Sequence, residues 1–140
     1  MKTLVRAAVL TNFLDVARGL GANPLPLLRA ARLSPALLAN PDQRIPAQAC
    51  ATLLEAAAEV TACATFGLRM AESRQLSDFG VMSLLITQQA TLRDALETII
   101  RYRHLVNESV AILLETSGKV VVIRQEVVLD TPSQIGRAHV

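Results

Sequence analysis

Residues 91–107 read Thr91-Leu92-Arg93-Asp94-Ala95-Leu96-Glu97-Thr98-Ile99-Ile100-Arg101-Tyr102-Arg103-His104-Leu105-Val106-Asn107, and soon afterwards come Val110-Ala111-Ile112-Leu113-Leu114 and Val120-Val121-Val122-Ile123. The first stretch repeats at helical spacing and the second at a period of two, so the fold class turns on this change. Thr91 to Asp94 has the form of a capping box, with Asp in place of the usual Glu or Gln, and opens a helix to about Asn107. Its expected buried stripe is Leu92, Ala95, Leu96, Ile99, Tyr102 and Val106, while Arg93, Glu97 and Arg101 form a charged row at i, i+4 spacing. Thr116-Ser117-Gly118 is turn chemistry between two β-branched runs, which predicts a β-hairpin ending near Leu129. Val120 to Ile123 are apolar on both faces, so further sheet or a helix layer must cover them, some of it beyond this chain.

Upstream, the pattern is helical. Leu4, Val5, Ala8, Val9, Phe13, Val16 and Ala17 predict an amphipathic helix over Thr3 to Arg18, stopped by Gly19 and Gly21. Asn23-Pro24 and Ser34-Pro35 each put a capping side chain before a Pro at the first helical position, predicting short helices over Pro24 to Ala31 and Pro35 to Ala39. Asn40-Pro41-Asp42 is a turn, and Pro46 biases Ile45 toward an extended conformation. An Ala-rich helix comes next over about Pro46 to Ala62, with Ala49, Leu53, Ala56 and Val60 as its apolar row, flanked by Cys50, Ala57 and Cys63. Thr65 to Glu72 and Phe79 to Thr87 read as two more helices, the latter capped by Ser77-Asp78. The expected class is α+β, predominantly helical, with several packed helices followed by an antiparallel β-hairpin belonging to a small sheet. From Thr131 onward no period is visible, and residues 133–140 read as a ragged or expression-derived tail that carries His139.

One core suits a chain of 140 residues. It is filled by Leu, Val, Ile and Ala, because 51% of residues are hydrophobic but only 3% aromatic, with no Trp. A net charge of +2, with basic residues interleaved among acidic ones, is too even for a nucleic-acid footprint. Arg6, Asn12, Asp15 and Arg18 interrupt the N-terminal apolar run before it could serve as a secretory signal, and the longest apolar stretches fall far short of the ~20 residues a membrane helix needs. Localisation is expected to be cytoplasmic. Cys50 and Cys63, if on one helix, stand too far apart for a disulfide, and they and the isolated His104 and His139 lack metal-ligand spacing. No metal, cofactor or catalytic constellation is expected: the sequence has no nucleophile elbow and no phosphate loop after a strand, and Gly19 and Gly21 follow a helix end. Leu27 to Leu38 superficially resembles a helix-turn-helix, but Asn40-Pro41 stops its second helix too early for base reading.

A small-molecule pocket needs apolar walls and a few placed polar groups. Tyr102 and His104 are candidates for the polar or amphipathic part, and Phe66, Phe79 and Met82 for the walls.

Taken in order, several pieces resemble the N-terminal arabinose-binding-like domain of AraC/XylS-type transcription regulators. They are Leu33-Ser34-Pro35 to Leu38, Asn40-Pro41-Asp42-Gln43-Arg44-Ile45-Pro46, Phe66-Gly67-Leu68-Arg69-Met70-Ala71-Glu72, Phe79-Gly80-Val81-Met82, Thr91 to Leu96, and Arg101-Tyr102. The likeness covers roughly Val16 to Val128, and it departs from the family at Met82 and Gln88-Gln89, where Gly or Ser is more usual. The resemblance implies a sensing and dimerisation domain over residues 1–132, incomplete at its C-terminal side. Its implied partners are a small-molecule effector, a second copy in a homodimer, and promoter DNA reached only through a C-terminal helix-turn-helix domain absent from this sequence. The other reading is a helical protein–protein interaction module without a small-molecule ligand, with the small-residue helix Pro46 to Ala62 as its surface.

Overall fold

The computed structural model describes residues 2–130, so the segment from 131 on, including the tail and His139, lies outside the described residues. Where a helix was expected over Thr3 to Arg18, the chain opens instead with strand β1 (Leu4–Arg6), then a short 3-10 helix (Ala7–Leu10), and only then helix α1 (Phe13–Gly19). The apolar spacing of the first residues fits either conformation, and a distant partner decides. Strand β2 (Arg44–Pro46), whose Ile45 is held extended by Pro46, pairs antiparallel with β1 and places Val5 opposite Ile45. Bonds from Ala7 N to Gln43 O at 2.7 Å and from Ala47 N to Thr3 O at 2.9 Å lock the pairing at both ends. Asn12, at φ 69°, then turns the chain into α1.

Helix α2 (Pro24–Ala30) and a 3-10 helix (Pro35–Ala39) begin as expected. Asn23 accepts from Leu25 N at 3.1 Å and Ser34 from Ala36 N at 3.3 Å, each ahead of a proline with no N–H to satisfy. Helix α3 (Ala47–Val60) buries Ala47, Cys50, Ala51, Leu53 and Ala57, whereas Val60 is 64% exposed. Its inward stripe is thus turned about one residue from the row expected. Ala47, Cys50, Leu53 and Ala57 pack with Phe13, Ala17, Leu28, Phe66 and Met70 into one core among the described residues, in which the Phe13 and Phe66 rings meet at 5.7 Å and 55°. Phe66 and Met70 come from helix α4 (Phe66–Ala71).

The second half is more open. A 3-10 helix (Leu76–Phe79) and Gly80 precede helix α5 (Val81–Thr87), and helix α6 (Leu92–Tyr102) starts at the expected cap, Thr91 Oγ1 accepting from Asp94 N at 3.1 Å. A 3-10 helix (Arg103–Leu105) ends α6 short of Asn107. Strands β3 (Val110–Ser117) and β4 (Val120–Val127) form the hairpin, with Ser117 opposite Val120 around a two-residue loop in which Gly118 has φ 59°. The α6 stripe is only half covered by α5 and β3, and Leu92 is 76% exposed. Val120 to Ile123 are exposed, so nothing among the described residues covers that run of β4, whereas Val110 to Ile112 of β3 are half-buried.

Strand β1 ties the halves together. Its second edge bridges to Asn107, with Arg6 N donating to Val106 O at 3.3 Å and Glu108 N to Leu4 O at 3.2 Å.

Candidate functional site

The junction made by β1 borders a cavity of about 350 Å³ that is partly open to solvent. Every long element of the second half contributes to its wall, which the local sequence explains. Alternation along β3 puts Val110 and Ile112 on one face, and register sets Gln125 of β4 opposite Ile112. Ile99 comes from the inner face of α6, and Met82, buried to 1% exposure, from the first turn of α5. Phe79 closes the 3-10 helix before Gly80, while Ala8 and Val9 come from the N-terminal 3-10 helix on the other side of the junction. Val106 and Asn107 lie between α6 and the hairpin, with the Asn107 carboxamide oxygen accepting from both the N and Oγ of Ser109, at 2.8 and 2.6 Å.

Three arginines reach this mostly apolar space. Arg6, at the end of β1, is buried and nearly spent: Nε and Nη2 donate to Asp42 Oδ1 at 3.0 and 2.6 Å, and Nη1 donates to the Asp78 carbonyl at 3.2 Å. Arg74 donates through Nη2 to the Val9 carbonyl; its burial draws its pKa below the ordinary arginine range, while the nearby Asp78 carboxylate opposes that shift. Arg103 lines the cavity too, and its guanidinium makes no hydrogen bond or ion pair among the described residues. Asp78 is itself tied down, its Oδ2 accepting from Gln75 N at 2.9 Å. Among the described residues no group of three or more His, Cys, Asp or Glu is arranged to hold a metal ion, and no helix is long and apolar enough to cross a membrane.

Of the five residues singled out in the sequence, Phe79 and Met82 stand together in the cavity wall. Phe66 lies in the helical core against Phe13 at 1% exposure, away from the cavity. Tyr102 is half-buried at the end of α6 and does not line the cavity; His104 is exposed on the following turn, where its backbone carbonyl accepts from Arg44 Nη2 at 2.9 Å. Arg6, Arg74 and Arg103 were missed, because an arginine in an amphipathic pattern reads as a solvated face. The one available signal was Arg6 standing within an apolar run.

Comparison with known proteins shows the class of domain to which the sequence belongs, one found at the N-terminus of transcription regulators. The family described as the arabinose-binding domain of AraC transcription regulator, N-terminal, matches residues 21–139. The chain therefore belongs to that family. Among individual proteins it is similar to the HTH-type transcriptional regulator VirS of Mycobacterium tuberculosis, in two strains, at 36% identity over 100 residues, or 71% of this chain and 29% of each relative. The matched part thus spans less than a third of the length of those regulators.

Proposed function

We propose that the chain is the effector-sensing and dimerisation part of an AraC-type DNA-binding transcription regulator, working in the cytoplasm, with the 350 Å³ cavity as its effector site. One observation carries this reading: the cavity is walled by both halves of the chain, apolar over most of its surface and supplied with a few polar groups, as small-molecule sites generally are. A ligand bound there contacts Val9 on one side and Ile99, Val110 and Ile112 on the other, so it favours the arrangement in which the halves are closed on each other. An effector shifts a conformational equilibrium only by its differential affinity for the two states, and a site at a junction supplies that difference. An attached DNA-reading domain senses the shift, and the exposed apolar hairpin offers a surface for a second copy. An interaction module without a ligand is less favoured, because the small-residue face of α3 is already occupied by the chain's own core.

The test is thermal unfolding of the chain against a library of small metabolites, run in parallel on an Ile99→Trp variant that fills the cavity. A compound that raises the midpoint of the parent chain and fails to do so in the variant supports the reading. Stabilisation by no compound, or by compounds equally effective on both proteins, refutes it.

A further inference from the structure

The chemistry of the same cavity narrows its occupant, an inference that rests on the reading of it as an effector site. We propose that the ligand is an amphipathic organic monoanion: one carboxylate held by Arg103 and Arg74, on an apolar body lying against Met82, Ile99, Val110 and Ile112.

Charge carries the first step. Three guanidinium groups line the cavity against the single carboxylate of Asp78. Arg6 is neutralised from outside the wall by Asp42, and Asp78 faces Arg74, so the charge left over is that of Arg103. Arg74 uses one of its five N–H donors on the Val9 carbonyl, and Arg103 uses none of its side-chain donors among the described residues. A planar guanidinium matches a carboxylate with two parallel hydrogen bonds, and such charge-assisted bonds are about twice as strong as neutral ones.

The rest of the wall excludes the common alternatives. A sugar needs polar partners around its whole ring, but apart from the arginines and Asp78 the wall offers only Gln75, Gln125 and the amide nitrogen of Asn107, whose carboxamide oxygen is spent on Ser109, among apolar side chains. An amino acid needs an acceptor for its ammonium, and the one carboxylate in the wall is held by the backbone of Gln75 and faces Arg74. The volume lies at the low end of the roughly 300–1,000 Å³ typical of ligand pockets, which suits a medium-chain or aryl-substituted acid.

Isothermal titration of the chain with octanoate and 4-phenylbutyrate, with octanamide and 4-phenylbutyramide, and with L-arabinose tests the proposal. The acids should bind roughly tenfold or more tightly than their amides, the value of one charge-assisted bond pair. Arg103→Gln, which removes the charge of a cavity-wall side chain that makes no hydrogen bond or ion pair among the described residues, should bring the acids down to the level of the amides, with the unfolding midpoint of the variant read alongside as the check on its fold. Amides or arabinose binding as well as the acids, or an acid-to-amide ratio unmoved by Arg103→Gln, overturns the anion assignment while leaving the cavity as an effector site. Binding of none of the five compounds overturns the assignment, while the metabolite screen against Ile99→Trp still decides whether the cavity is an effector site.

Discussion

Arg6 lies directly against Gly80: a Cβ on that glycine would stand 2.7 Å from Arg6 Nη2. Strand β1 and the start of α5 are thereby fitted to each other across 74 residues of sequence (80 minus 6). Gly80 also has φ 63° and ψ −134°, a region that side chains with a Cβ rarely enter. Arg6 cannot swing aside freely, because Asp42 and the Asp78 carbonyl hold it.

Gly80→Ala should therefore destabilise the chain by about 1–3 kcal/mol, the usual cost of such backbone strain, with the displaced arginine adding to it. Gly67→Ala is the control. Gly67 sits in α4 with nothing within 4 Å of its would-be Cβ, so alanine there should be neutral or stabilising by up to about 1 kcal/mol. Urea unfolding of the two variants gives both numbers, and equal effects would contradict the geometry.

The pairing of Arg6 with Asp42 is lopsided, since the arginine side chain is 9% exposed and the carboxylate side chain 79%. Asp42→Asn should cost about 1–2 kcal/mol, less than a fully buried pair loses, because water replaces part of the lost partner. Adding Arg6→Met should recover part of that loss by removing the stranded charge. A double-mutant cycle reads this directly, and strict additivity would show that the contact does not matter.

The two thiols should differ sharply. Burial pushes Cys50 up to about 12, whereas at the surface a hydrogen bond from Thr65, helped by nearby Arg69, lowers the pKa of Cys63. Near pH 8, iodoacetamide should label Cys63 and spare Cys50 until the chain unfolds. Because the folded-state pKa of Cys50 is raised, unfolding releases its proton once pH exceeds the ordinary thiol value of 9.0, and stability falls from there toward about pH 12. Cys50→Ala should flatten that alkaline decline; an unchanged slope would show that the thiol is not shielded.

Stability should reside in the first half. Leu53 has no exposure in the core, and Leu53→Ala should cost about 2–5 kcal/mol. Ile123, 54% exposed on β4, should tolerate Thr with a change of about 0.5 kcal/mol or less. Comparable losses at both positions, measured by denaturant unfolding, would mean that the hairpin is covered in solution.

Much of this fold is legible in the sequence where local chemistry decides. Asn23-Pro24, Ser34-Pro35 and Thr91 to Asp94 cap the helices they were expected to cap, and the hairpin arises from β-branched residues around Gly118. Strand β1 was not legible, because Leu4, Val5 and Arg6 become a strand only through Arg44 to Pro46, some forty residues away, and residues 106–108. The rotation of α3 was hidden for a related reason: in a helix of alanines many faces look alike, and the neighbours choose which is buried. The cavity was half legible. Phe79 and Met82 announced themselves as apolar, whereas the role of Arg6, Arg74 and Arg103 depends on a junction that no local pattern encodes.

Whether a small molecule sits between the two halves can be read by NMR of the chain carrying carbon-13 in its methionine methyl groups. Met82 is in the cavity wall and Met70 in the helical core, each nearly fully buried, so one reports on the site and the other on the fold. Titration with 4-phenylbutyrate should move the Met82 methyl signal saturably and leave that of Met70 in place. Saturable binding that shifts Met70 and leaves Met82 untouched would place the ligand elsewhere and contradict the proposed site.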